Sequence, residues 1–169
     1  MKNLKILSTL VLAAVLSTGA FAQENANVAV TAQVEAALVL TPTAVALGTI
    51  QTAAASIIDA NASDDATEAN VGDGATAGAL AIAGSISTNV IVSWTTATLD
   101  DAGSGTAVLF TPSVWNTSTE VTSGATVVLD GSGDATLDIG GELAATDATG
   151  AYSTGLGTGS PMVFTVSYE

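Results

Sequence analysis

The residues from Ala26 to Pro42 alternate strictly between apolar side chains and a second, more polar set. Every even position is apolar, whereas the odd positions include Asn27, Thr31 and Glu35. A period of two indicates a β-strand with one buried face. An extended segment of this length spans roughly 56 Å, whereas an ordinary strand covers about 17–20 Å. A single small domain therefore cannot easily bury the whole stripe.

Two arrangements fit a stripe of this length. In the first, one strand is bent by a bulge and shared between two sheets. In the second, two strands follow each other along the chain. Residues 25–35 would then leave the domain and pair with a neighbouring molecule, and residues 36–41 would form the domain's own first strand.

The remaining chain is rich in Ala, Thr, Val, Gly and Ser and shows no long helical periodicity. Short alternating runs broken by Gly and Asp are typical of sandwiches and barrels, so we expect an all-β fold with a single immunoglobulin-like β-sandwich. Residues 52–59 could instead begin one helical turn, and residues 61–74 read as an acidic loop. The further strands predicted are 45–51, 77–83, 89–95, 106–111, 126–129, 135–139 and 162–168.

Two local signals refine these strands. The Asp130–Asp134 stretch, Asp-Gly-Ser-Gly-Asp, predicts a hairpin between its flanking strands. Pro112 predicts the end of a strand or an edge strand, because proline cannot donate a ladder hydrogen bond.

The first residues have the pattern of a secretory signal peptide. Lys2 and Lys5 precede an apolar stretch from Ile6 to Val15, and Ala20-Phe21-Ala22 gives a small-x-small cleavage site. We expect cleavage after Ala22, which leaves Gln23 first. The expected organisation is a signal peptide over 1–22, an N-terminal extension over 23–35 and a β-sandwich over 36–169. The product is expected to be secreted, with no membrane span after cleavage, and exposed on the cell surface or in an extracellular filament.

Charge narrows the possible partners. The sixteen Asp and Glu residues all lie beyond the leader, and no Lys, Arg or His follows Lys5. Nothing in the exported chain can neutralise phosphate, which excludes nucleic acid and anionic membrane surfaces.

The residue inventory argues against an enzyme and predicts no cofactor. The chain has no His for general-base catalysis and no Cys nucleophile. Carboxylate pairs such as Asp64-Asp65 and Asp100-Asp101 lie among turn-forming residues, where Asp is expected to shape the backbone rather than to hydrolyse glycosides or bind calcium. Trp94 and Trp115 are expected to anchor the core rather than to form sugar platforms.

Both ends of the chain carry short motifs of a known kind. The chain ends in Phe164-Thr165-Val166-Ser167-Tyr168-Glu169, with Tyr next to last. Upstream stand residues 139–143, Ile-Gly-Gly-Glu-Leu, and residues 150–152, Gly-Ala-Tyr. Together with the signal peptide and the alternating segment, they resemble chaperone–usher fimbrial subunits or a related secreted bacterial β-sandwich family of unknown function.

This resemblance implies a structural subunit of an extracellular bacterial filament. Each pilin lacks one strand, and the N-terminal extension of the next subunit fills the gap after a periplasmic chaperone has held it open; an outer-membrane usher assembles the fibre. The resemblance assigns the inserted side chains to Val28, Val30, Ala32 and Val34, and the acceptor groove or chaperone contact to Phe164, Val166 and Tyr168.

The sequence departs from that family in two places. It has no Cys for the disulfide that many pilins carry, and Gly155 and Gly157 straddle the position where many have a glycine. The alternative function is a monomeric surface-exposed module that binds glycan or calcium.

Overall fold

Runs rich in Val, Ile, Thr and Leu form the strands of this protein, whose computed structural model describes residues 29, 31–64, 66–101, 103 and 106–169. In this described part every regular element is a strand, and no helix is long and apolar enough to cross a membrane. The all-β expectation is confirmed. The strands are β1 (Val39–Thr43), β2 (Ser56–Ile58), β3 (Gly78–Ala83), β4 (Asn89–Trp94), β5 (Ala97–Leu99), β6 (Val108–Asn116), β7 (Thr119–Glu120), β8 (Ala125–Val128), β9 (Asp134–Leu143) and β10 (Phe164–Tyr168).

The strands form two antiparallel sheets. The larger has the order β1-β3-β9-β6-β5, with β2 paired to β9 and β7 paired to β6; the smaller has the order β10-β4-β8. The described residues from Val34 to Glu169 make one compact unit.

The main core cluster contains buried side chains from strands of both sheets. Alternation places Leu80 and Ile82 of β3 inward from the larger sheet, and Val90 and Val92 of β4 inward from the smaller one. A second cluster lies around Phe110 and Leu143. Because the core contains mostly Val, Leu and Ile, it depends on close packing of small side chains rather than on aromatic anchors.

The predicted hairpin at Asp130–Asp134 is wrong. Residues 129–133 do connect β8 to β9, but β8 pairs with β4 in the smaller sheet and β9 pairs with β3 and β6 in the larger one. The turn is therefore an arch between the sheets. It lies beside a second arch, residues 84–88, to which it is tied by hydrogen bonds from Gly84 N to Gly133 O (2.8 Å) and from Ser87 N to Asp130 O (2.8 Å).

Pro112 also departs from expectation, because β6 continues through it and is a central strand. On one side β9 pairs with residues 110–115, with Pro112 opposite Gly141. On the other side β5 pairs with residues 108–110 and β7 with residues 115–116. Pro112 lies between these two stretches, where no described strand needs a hydrogen bond from it.

Three segments in the first half differ from their predictions. Strand β1 begins at Val39 rather than at Ala36. Residues 45–51 form no strand but one bridge, from Ala46 to Thr76, and residues 52–59 contain strand β2 instead of a helical turn. The signal peptide, Val28 and Val30 lie outside the described residues.

Candidate functional site: an open seam between two strand edges

The last strand, β10, is an edge of the smaller sheet. Within the described part of the chain it pairs only with β4, in a register that runs from Phe164 opposite Trp94 to Tyr168 opposite Val90. Phe164, Val166 and Tyr168 share the core-facing side, as the sequence predicts, yet all three are only half-buried. In the adjacent strand, Val90 and Val92 are completely buried. The core is therefore incompletely covered along β10.

Strand β1 forms the corresponding edge of the larger sheet. Among the described strands it pairs only with β3, and its register sets Leu40 opposite Ile82 and Pro42 opposite Leu80. Residues directly opposite each other in a ladder share a face, so Leu40 and Pro42 face the core side. Leu40 is nevertheless 37% exposed, whereas Ile82 is 1% exposed. The core is thus uncovered at this edge too.

The two edges meet at the end of the fold where β10 finishes. The Tyr168 hydroxyl accepts a hydrogen bond from Ser85 N (2.7 Å) and donates one to Ala36 O (2.8 Å). Ala36 N in turn donates to the Ser85 hydroxyl (2.6 Å), and Leu38 packs against the same core cluster as Tyr168. These contacts place Ala36, which precedes β1, directly beside the end of β10. We call the uncovered strip formed by Leu40, Pro42, Phe164, Val166 and Tyr168 the open seam.

Sequence reasoning names the β10 residues of this seam, as a predicted acceptor groove, but not the β1 residues. It assigned Leu40 to an ordinary first strand, because period-two alternation cannot tell an edge strand from a central one. Ser85 carries no sequence signal for its role as the partner of both Ala36 and Tyr168.

We predict that Tyr168→Phe destabilises the fold by about 1–3 kcal/mol, since it removes two hydrogen bonds and leaves Ser85 N without this acceptor. The measurement is the free energy of unfolding from urea titration. Tyr152→Phe is the matched control: its hydroxyl makes one long bond, to Ala148 O at 3.3 Å, and its loss should cost less. Equal effects at the two positions would mean that Tyr168 does not hold the end of the seam together.

The predicted donor residues fall partly within the described chain. Ala32 and Val34 lie in a stretch without strand structure, both are exposed, and Val34 is 91% exposed. Burying an apolar side chain this exposed against a partner is favourable, because it removes apolar surface from water.

The two tryptophans and the buried carboxylate of Asp100 make contacts within the fold. Trp94 packs on Phe164, with ring centroids 5.6 Å apart, and Trp115 Nε1 donates to the Ser113 hydroxyl (2.8 Å). Asp100 is 1% exposed, and its carboxylate accepts hydrogen bonds from the backbone N (2.6 Å) and hydroxyl (3.0 Å) of Thr158. Asp65, of the pair Asp64-Asp65, lies outside the described residues. The described part of the chain holds no group of three or more metal-ligating side chains.

Asp130 shapes its own turn. Its carboxylate accepts hydrogen bonds from Ser132 N (2.7 Å) and Asp134 N (3.0 Å). Hydrogen bonds from the backbone N–H groups of Asp134, Ser132 and Gly133 hold the pKa of this carboxyl below its usual value, because they favour the charged form. This is the turn-forming role that the sequence indicates.

Comparisons of the chain with protein-family models, with curated proteins and with solved structures give no match.

Proposed function

We propose that this protein is the structural subunit of an extracellular bacterial filament, in which the N-terminal segment of one subunit adds a strand to the open seam of the next. The observation that carries the proposal is the seam itself. Two strand edges, β1 and β10, border core-facing side chains that the described residues leave incompletely covered.

The chemistry of the seam suits an added strand. An unpaired edge offers a row of backbone N–H and C=O groups, and an incoming strand bonds to them while alternate side chains fill the space beneath. The core-facing residues of β10 follow one another at every second position: Phe164, Val166 and Tyr168. An incoming strand with apolar side chains at every second position can place each of them against these residues.

The segment before Ala36 has that spacing. Val28, Val30, Ala32 and Val34 occur at every second position, and polar residues follow them at Thr31, Gln33 and Glu35. The thirteen residues from Gln23 to Glu35 reach at most about 47 Å when extended. This exceeds the roughly 17 Å of a five-residue strand such as β10.

Donation from one copy to the next makes an open assembly. Each subunit gives a segment at one site and receives one at another, and such head-to-tail contacts continue as a fibre unless their rotation closes a ring. Before assembly the half-buried β10 residues and the exposed Leu40 and Pro42 of the seam remain in contact with water. We therefore propose a periplasmic chaperone as a transient partner, and an outer-membrane usher as the site of assembly.

Deletion of residues 23–35 tests the proposal. We expect the chain from Gln23 onward to form fibres in electron micrographs, and the truncated chain to elute as a small species in size-exclusion chromatography. A synthetic peptide of residues 23–35 should bind the truncated chain and raise its melting temperature, because it completes the core. A peptide with the same composition in scrambled order is the control.

If both chains run as folded monomers of equal stability and the peptide does not bind, strand donation is refuted. A monomeric surface module for glycan or calcium would then become the leading hypothesis, and added calcium should shift its melting temperature.

A further inference from the structure

The outward face of the smaller sheet carries no ionisable side chain within its strands, although the chain has sixteen acids. We propose that this surface, which we call the neutral face, packs against the same face of a second copy and joins filaments side by side. The inference goes beyond strand donation and uses a different surface. The neutral face comprises Asn89, Ile91, Ser93, Thr126, Val128, Thr165 and Ser167.

The register places these side chains on one side of the sheet. Ile91 of β4 lies opposite Thr126 of β8 and also opposite Ser167 of β10. Alternate residues of β4, Val90 and Val92, point into the core and are completely buried. The neutral face is therefore a continuous three-stranded surface directed away from the core.

The neutral face has two exposed aliphatic side chains, Ile91 on the central strand β4 and Val128 on β8. Val128 is 60% exposed and Ile91 is 36% exposed. Val128 lies opposite Asn89, which makes Val128 and Ile91 diagonal neighbours across the β4–β8 ladder. Thr and Ser surround them, so the surface combines apolar area with short side chains that lose little entropy when covered.

The acids are distributed differently on the other sheet. Strand β9 carries three acids, Asp134, Asp138 and Glu142, and β7 carries Glu120. At the border of the neutral face stand Glu169, whose carboxylate accepts a hydrogen bond from Asn89 Nδ2 (2.8 Å), and Asp130, whose carboxylate bonds to its own turn. Glu169 thus ends the row that contains Asn89 and Val128, and both carboxylates lie at one end of the neutral face.

This charge distribution indicates a second copy as the partner. A cationic partner would bind best where the acids are, whereas another copy brings only negative charge beyond Lys5. Two copies repel each other wherever their carboxylates meet. On the neutral face they can approach without bringing together carboxylates from its strands.

The size of the face indicates how it works. Three strands about 4.8 Å apart and five residues long at about 3.3 Å each cover a few hundred Å². A stable pair of proteins usually buries about 800 Å² on each side. A single contact is therefore weak and is expected only in concentrated unpolymerised protein, whereas two parallel filaments repeat it many times and strengthen it.

The test compares Val128→Glu with Leu109→Glu. Both replace an exposed aliphatic residue of a strand by an acid, but Leu109, 45% exposed, lies on β6 of the larger sheet. In filaments the measurement is bundle width by electron microscopy. In unpolymerised protein it is the concentration dependence of sedimentation at about 0.5 M salt, where screening shortens the reach of charge repulsion to a few Å.

We expect the unaltered chain to associate side by side, more strongly as salt increases. Val128→Glu should weaken this association at least about tenfold, because it places in the contact a carboxylate that must lose its hydration and that finds no Lys, Arg or His as a partner. Leu109→Glu should leave it nearly unchanged. Ser167→Glu, on a different strand of the same face, should act like Val128→Glu, and thermal unfolding checks that each variant is folded.

Three outcomes overturn the proposal. One is no self-association of the unaltered chain in either measurement, and another is equal behaviour of Val128→Glu and Leu109→Glu. The third is binding of the unaltered chain to phosphatidylcholine vesicles that Val128→Glu abolishes, with no self-association, which would assign the face to a lipid surface. Because the sedimentation measurement needs no fibres, it tests the neutral face even if strand donation fails.

Discussion

Gly141→Ala is expected to destabilise the protein by about 3 kcal/mol or more, since it combines overpacking with an unfavourable backbone conformation. Gly141 is buried in β9, with β2 on one side and Pro112 of β6 on the other. A Cβ at this position would lie 2.8 Å from Pro112 Cα and closer still to the Thr111 carbonyl oxygen, and its φ of +139° is one that other residues rarely adopt. Backbone atoms on a paired strand cannot move aside without breaking the ladder.

Gly124→Ala separates the two causes. Gly124 also has a positive φ, +90°, but nothing lies within 4 Å of a Cβ built there. We expect it to cost about 1–2 kcal/mol, which is the conformational penalty alone. The measurement is the urea midpoint of each variant by tryptophan fluorescence. A Gly141→Ala variant as stable as Gly124→Ala would show that β6 and β9 tolerate separation.

The strand content of this chain could be predicted from the sequence because it depends on local pattern. Val90 and Val92 alternate with polar or exposed neighbours, and β4 was predicted to within one residue. The same holds for β3 and for the face shared by Phe164, Val166 and Tyr168. Period-two burial is encoded within each strand and needs no knowledge of the partner strand.

Partner choice could not be predicted in the same way. A short turn such as Asp130–Gly133 can join two strands of one sheet or carry the chain across to a second sheet, and its sequence favours turning without deciding between them. Here the second arch, residues 84–88, bonds to it and fixes the crossing. The position of Pro112 inside β6 escapes prediction for a related reason. Proline is accommodated there because β5 and β7 pair with β6 on either side of it, and the residues around Pro112 do not encode where those two strands lie.

The open seam depends both on local strand pattern and on how the sheets are arranged. Its β10 half was predicted from alternation and resemblance, whereas its β1 half depends on Leu40 being left uncovered, which only the arrangement of the sheets decides. The hydrogen bonds that join the halves run from Tyr168 to Ser85 and Ala36, over separations of 83 and 132 residues. Contacts this distant in sequence leave no local pattern.

Val30→Asp is expected to abolish filament formation, whereas Thr31→Asp should leave it nearly intact. If residues 23–35 add a strand to the open seam, even positions face the core and odd positions face solvent. An Asp at position 30 would be buried without an ion-pair partner, because no Lys, Arg or His follows Lys5. The cost of several kcal/mol for such a charge should raise the critical concentration at least about 100-fold.

Val30→Asn distinguishes charge from shape. Asn is close to Asp in size but neutral, so it should impair assembly less than Asp does at pH 7. The measurement is the protein concentration at which fibres first form, determined by sedimentation and electron microscopy for each variant. Equal critical concentrations for Val30→Asp and Thr31→Asp would refute donation of an alternating strand. Assembly would then have to use surfaces outside the N-terminal segment, and the neutral face would be the first of these to examine.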